Sequence, residues 1–89
     1  MPYHVKVLPH AERSFRKLKK THSRLCKEIQ SYILNDLPND PRPHGHKKLS
    51  VGGYRIRFGD YRLLYNIDDD AKTVYIADVL HRSDAYRFL

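Results

Sequence analysis

Between residues 42 and 62 stand six basic side chains, Arg42, Lys47, Lys48, Arg55, Arg57 and Arg62, against one acid, Asp60. Guanidinium groups bind phosphate bidentately and keep their charge at any physiological pH. Further on come His81 and Arg82, with Tyr86 beyond them. An imidazole can carry a proton near neutrality, and a phenol offers a platform on which an unpaired base can stack. These are the group types that RNA cleavage needs: an acceptor for a 2′-hydroxyl proton, and cations for the charge that builds on phosphate. Plainer readings stand beside this one. The arginines could be a solvated face paired with acids from elsewhere, and Lys47-Lys48 a solvated start of a strand. The charge run from Arg13 to Lys20 reads as the wet side of a helix, or as a phosphate-backbone contact without specificity. His44-Gly45-His46 resembles half a metal site, but no nearby carboxylate or thiol completes it.

The chemistry depends on which side chains share a face. In Gly53–Tyr65, GYRIRFGDYRLLY, alternation puts Tyr54, Ile56 and Phe58 on one side of a strand, and Arg55 and Arg57 on the other. Gly59-Asp60 suits a two-residue turn, and Tyr61, Leu63 and Tyr65 alternate with Arg62 on the return strand. Phe58 then pairs with Tyr61 and Arg57 with Arg62. Like charges opposite one another on a ladder repel, so a patch that keeps three guanidiniums has reason to hold an external anion.

Around this hairpin, Tyr3–Leu8 alternates as a first strand ended by Pro9, and Ala11, Phe15 and Leu18 recur at helical spacing from His10 to about Lys20. A second helix is expected from about Arg24 to Leu37, burying Leu25, Ile29, Ile33 and either Tyr32 or Leu37, and stopped by the prolines that follow. Residues 38–46 hold three prolines and read as a loop, Lys47–Val51 as a short strand and Gly52-Gly53 as a turn. Asp68-Asp69-Asp70 closes a hairpin into Thr73–Leu80, whose Val74, Tyr75, Ile76, Ala77 and Val79 are apolar on both faces. That strand should be central, with the direction of Asp78 left open. Ser83–Leu89 fits a single helical turn or an extended end. The expected architecture is α+β in the order β-α-α-β-β-β: an N-terminal strand, a helical hairpin, then an antiparallel three-strand meander. The helices pack on one face of the sheet, leaving the arginine face open, in one domain spanning 1–89.

A chain of 89 residues supports one small core. Its net charge of +7 and pI near 9.7 favour a polyanionic partner: nucleic acid, an anionic membrane surface or an acidic protein. Cys26 stands alone, so no internal disulfide forms. With no apolar run long enough for a membrane span and no signal-peptide core, a cytoplasmic protein with no membrane partner is expected.

The order of elements, the segment LPNDPRP before KKL, then YRIR and GDYRLLY, and a closing His81-Arg82 followed by Tyr86, resemble the RelE/ParE superfamily of bacterial toxins over essentially the whole chain. The resemblance to the RelE branch implies an endoribonuclease, a toxin of a type II toxin–antitoxin system. Such an enzyme enters the A site of the 70S ribosome and cuts the mRNA there by attack of a 2′-hydroxyl on the adjacent phosphate. It also implies no metal or other cofactor, and neutralisation by an acidic RelB-like antitoxin that folds on binding. By position it implies Arg55 and Arg57 as the strand's basic residues, with Arg62 binding phosphate. Arg82 would assist the leaving group, and Tyr86 would stack on or orient the substrate. Lys47 and Lys48 would add substrate contacts. Some relatives place lysine where this chain has arginine, and arginine cannot act as a base, so the proton carrier expected here is His81. The same resemblance admits a ParE-like poison of DNA gyrase, with the hairpin mainly scaffold. A non-catalytic module that binds RNA or an antitoxin is the remaining alternative.

Overall fold

The computed structural model describes residues 2–49 and 52–85. A short strand, β1 (His4–Val7), leads into two helices, α1 (Pro9–Thr21) and α2 (Ser23–Asn35). These are followed by β2 (Lys47–Lys48), β3 (Tyr54–Phe58), β4 (Tyr61–Asp68), β5 (Thr73–His81) and the single turn α3 (Arg82–Ala85). Pro9 opens α1 at a position where its missing N–H costs nothing, Glu12 lies in the first turn and Lys19 and Lys20 in the last, each suiting the helix dipole. His22 ends α1 by donating its N–H to the Leu18 carbonyl at 2.6 Å, and it is also the residue from which α2 departs.

The strands form one sheet in the order β1-β5-β4-β3-β2. The three later ladders are antiparallel, as expected; the first strand adds a parallel edge to β5, so the sheet is mixed. Both helices lie on one face. Ala11, Phe15 and Leu18 from α1 and Cys26, Ile29 and Ile33 from α2 close over Leu63, Tyr65, Val74, Ile76 and Val79. Cys26, which the helical pattern did not single out, is 1% exposed and donates its thiol hydrogen to the Phe15 carbonyl. The helix stops at Asn35, two residues before the expected Leu37, because the N–H groups of Asp36 and Leu37 both turn back to the Tyr32 carbonyl. Leu37 is nevertheless buried. Only Lys47–Lys48 of the expected Lys47–Val51 strand is ladder, and residues 50 and 51 lie outside the described ones.

One irregularity decides the faces of β5. Leu64 stands opposite Asp78, yet Tyr65 stands opposite Ile76, so β5 carries one extra residue, Ala77, at that point. The inward set therefore changes from Val74 and Ile76 to Val79, which explains why this run is apolar on both faces. No helix among the described residues is long and apolar enough to cross a membrane.

Candidate nucleic-acid interface

The tight turn at Gly59-Asp60 sets the register of the arginine hairpin: Phe58 pairs with Tyr61 and Arg57 with Arg62, as the alternation required. Gly59 has φ +60° and Asp60 is not among the positive-φ residues, which fits a turn of type II′ with glycine at its first central position. On the neighbouring ladder Lys47 stands opposite Arg55. Lys47, Arg55, Arg57 and Arg62, together with Gly45, line a hollow of about 170 Å³ on the face away from the helices.

The three arginines are held differently. Arg62 is 6% exposed, its Nη1 donating to the carbonyls of Gly59 at 3.0 Å and Tyr61 at 3.1 Å. Arg57 is exposed and donates Nε to the same Gly59 carbonyl at 3.1 Å, which leaves the outer edge of its guanidinium facing solvent. Arg55 Nε is buried with no hydrogen-bond partner among the described residues. Arg82 sits at the turn end of this group. Its backbone N–H donates to the Asp60 carbonyl at 2.7 Å, and its Nε lies 4.0 Å from Asp60 Oδ1. Arg82 is not part of the hollow's lining.

Three expected members do not join. Lys48 stands opposite Tyr54, so its parity puts it on the other side of the edge strand from Lys47. Arg42 is occupied elsewhere: it clasps Asp69 with Nη2–Oδ2 2.8 Å and Nη1–Oδ1 3.3 Å, and its guanidinium lies 5.4 Å from the Tyr54 ring centre. The expected proton carrier, His81, is on the helix side of the sheet. The extra residue at Ala77 reverses the alternation, so His81 pairs with Tyr61 while Leu80 takes the place opposite Arg62. His81 lines a separate groove of about 480 Å³ with His10, Arg13 and Lys17 of α1, and its Nδ1 accepts the Ser83 N–H at 3.3 Å. Tyr86 lies outside the described residues.

Side chains that the sequence did not flag hold the surroundings in place. Tyr3 donates its hydroxyl to Asp69 at 2.6 Å, and the buried Tyr65 donates its own to the Pro41 carbonyl at 2.7 Å. Together with Arg42 they tie the proline loop that delivers Gly45 and Lys47 to the hollow. Burial and nearby Tyr32 raise the Tyr65 phenol well above its ordinary range. On β5, Asp78 accepts the Val79 N–H at 2.8 Å and meets His10 Nε2 at 3.1 Å, clipping the start of α1 to the bulge. Their distance along the chain gave no local signal for that pair.

Residues 5–86 match the family model described as ParE toxin of type II toxin-antitoxin system, parDE. The chain is similar to toxin RelG of Mycobacterium tuberculosis, with 37% identity over 98% of this chain and 99% of that one. It is similar also to toxin RelE of the same organism, with 33% identity over 97% of this chain and 88% of that one. Among solved structures, a chain of the toxin–antitoxin complex RelBE2 of M. tuberculosis superposes with a TM-score of 0.79 at 35% identity, covering 92% of this chain and 100% of that chain.

Proposed function

The chain belongs to the RelE/ParE superfamily of type II toxins, and from that premise we propose that it is a metal-independent endoribonuclease that cuts mRNA in the ribosomal A site. The observation that carries the reading is the hollow itself: Arg57 directly opposite Arg62, with Arg55 and Lys47 on the same face. Four cations around about 170 Å³ leave room for one phosphate group.

In this reading the 2′-oxygen bonds to the adjacent phosphorus and the P–O5′ bond breaks, leaving a 2′,3′-cyclic phosphate and a 5′-hydroxyl. The nearly buried Arg62 braces the phosphate from below, and Arg57 offers its free edge from the rim. Both charges grow in value as negative charge accumulates in the phosphorane. The described side chains of the lining are arginine and lysine, so the chain contributes alignment and charge; the 2′-hydroxyl proton passes to water, and water returns a proton to the departing 5′-oxygen. Arg82, tied to Asp60 at the turn, is the cation assigned here to the departing 5′-oxygen. The basic face calls for an acidic partner in the resting cell, and an antitoxin of the RelB kind fits that need.

The test is to add the purified chain to translating ribosomes and map mRNA 5′ ends by primer extension, beside a gyrase supercoiling assay. Codon-aligned cuts support the ribonuclease. Gyrase inhibition without cuts replaces it with the ParE activity, and neither effect leaves a binding module.

A further inference from the structure

The turn between β3 and β4 holds more of the arginine group than its two residues suggest. The Gly59 carbonyl accepts Arg57 Nε at 3.1 Å and Arg62 Nη1 at 3.0 Å, and the next carbonyl, of Asp60, accepts the Arg82 N–H at 2.7 Å. Two successive backbone oxygens therefore fix three arginine residues. The shared acceptor also places a negative dipole end between guanidiniums that repel across the ladder. Where those oxygens point depends on Gly59, whose φ of +60° favours glycine.

We propose that Gly59 is a positioning residue for cleavage: its left-handed backbone aims one carbonyl so that Arg57 and Arg62 grip the same phosphate. This deepens the ribonuclease reading and rests on it. A side chain at Gly59 is not excluded by space, since a Cβ there would meet nothing within 4 Å. L-alanine at this position therefore acts through the backbone angle, and D-alanine, which prefers positive φ, restores the angle while adding a methyl group of equal size on the other side of Cα. Because the L-methyl meets nothing within 4 Å, a loss in Gly59→Ala cannot come from a clash.

The full chain of 89 residues is short enough to assemble chemically, with a ligation junction at Cys26. Single-turnover cleavage of ribosome-bound mRNA is then compared for the parent, Gly59→Ala, Gly59→D-Ala and Arg62→Ala. The expected result is a fall in the cleavage rate of about tenfold or more for Gly59→Ala, with half-saturation changed by less than about threefold, and recovery in Gly59→D-Ala. Half-saturation holds because the charge stays in place while its alignment is lost. Gly59→Ala cutting at the parent rate while Arg62→Ala is inactive overturns the positioning role and leaves the ribonuclease intact. Arg62→Ala cutting at the parent rate overturns the hollow as the place of cleavage, and a parent that does not cut overturns the ribonuclease reading itself. Should Gly59→Ala fail to fold by circular dichroism, the parent decides through its Arg57 Nε–H signal in ¹H–¹⁵N spectra. Slow exchange with solvent upholds the bond to Gly59, and exchange as fast as in a free arginine side chain overturns it.

Discussion

His81 stands opposite Tyr61 on the β4–β5 ladder, its ring edge-on to the phenol at 5.5 Å between centres and 88° between planes. The imidazole is thereby committed to the side of the sheet that the helices cover, while the arginine hollow opens on the other. A proton carrier must reach within hydrogen-bond distance of the group it deprotonates. His81→Ala should therefore retain cleavage of ribosome-bound mRNA within about threefold of the parent. Loss of more than about a hundredfold, the scale of a general base, would return the imidazole to the chemistry.

The same geometry shapes the pH dependence. If water takes the proton, the single-turnover rate rises steadily across pH 6–8, with no break near the ordinary imidazole value of about 6.5. A bell-shaped profile, or a plateau above that value that disappears in His81→Ala, would contradict a hollow whose described side chains are all cations.

Arg57 and Arg62 should separate activity from stability. Arg62 is nearly buried and bonded to two backbone carbonyls, so Arg62→Ala is expected to lose cleavage by about a hundredfold or more. It should also lose about 1–3 kcal/mol in denaturant unfolding. Arg57 is exposed, so Arg57→Ala should lose a comparable share of activity with stability within about 0.5 kcal/mol of the parent. Arg62→Lys should not rescue, because a single ammonium cannot span both carbonyls and still present two parallel donors.

How far the sequence disclosed the site follows from the local rules involved. A two-residue turn leaves one register, so the Arg57–Arg62 and Phe58–Tyr61 pairs were legible from GYRIRFGDYRLLY. The helices were legible from Ala11, Phe15, Leu18, Ile29 and Ile33, whose spacing survives burial in the core. His81 was not. Alternation carried unbroken from Val74 and Ile76 places it on the arginine face, and one extra residue at Ala77 moves it to the other. Nothing in a strand apolar on both sides marks where such a bulge falls. Arg42 was counted with the hollow because its partner, Asp69, lies in a distant turn that composition along the loop cannot reveal.

Cys26 should behave as a core side chain. Burial pushes its thiol above the ordinary range, and Lys19 opposes this only in part. In the folded protein near pH 8 a thiol reagent should label Cys26 at least about a hundredfold more slowly than in the unfolded chain, since the thiolate is the reacting form. Labelling at the unfolded rate would place the contact between Cys26 and the Phe15 carbonyl in doubt.

Acid should release the proline loop before it unfolds the core. The Arg42 guanidinium, aided by the Tyr3 hydroxyl, holds the Asp69 carboxyl at about 2, below its ordinary 3.8. The unfolded chain therefore binds the proton first as pH falls, and the clasp's contribution is complete above about pH 4 and disappears as pH drops through about 2. The pair is exposed, so the effect is modest and weakens with salt. Melting curves of the parent and Asp69→Asn should differ at pH 7, with the parent higher, and converge toward pH 2. Tyr3→Phe should narrow the gap from the parent side, because it removes one of the two groups that hold the carboxylate charged. A gap that widens on acidification would mean that folding raises the Asp69 carboxyl above its ordinary value, and that Arg42 does not clasp it in solution.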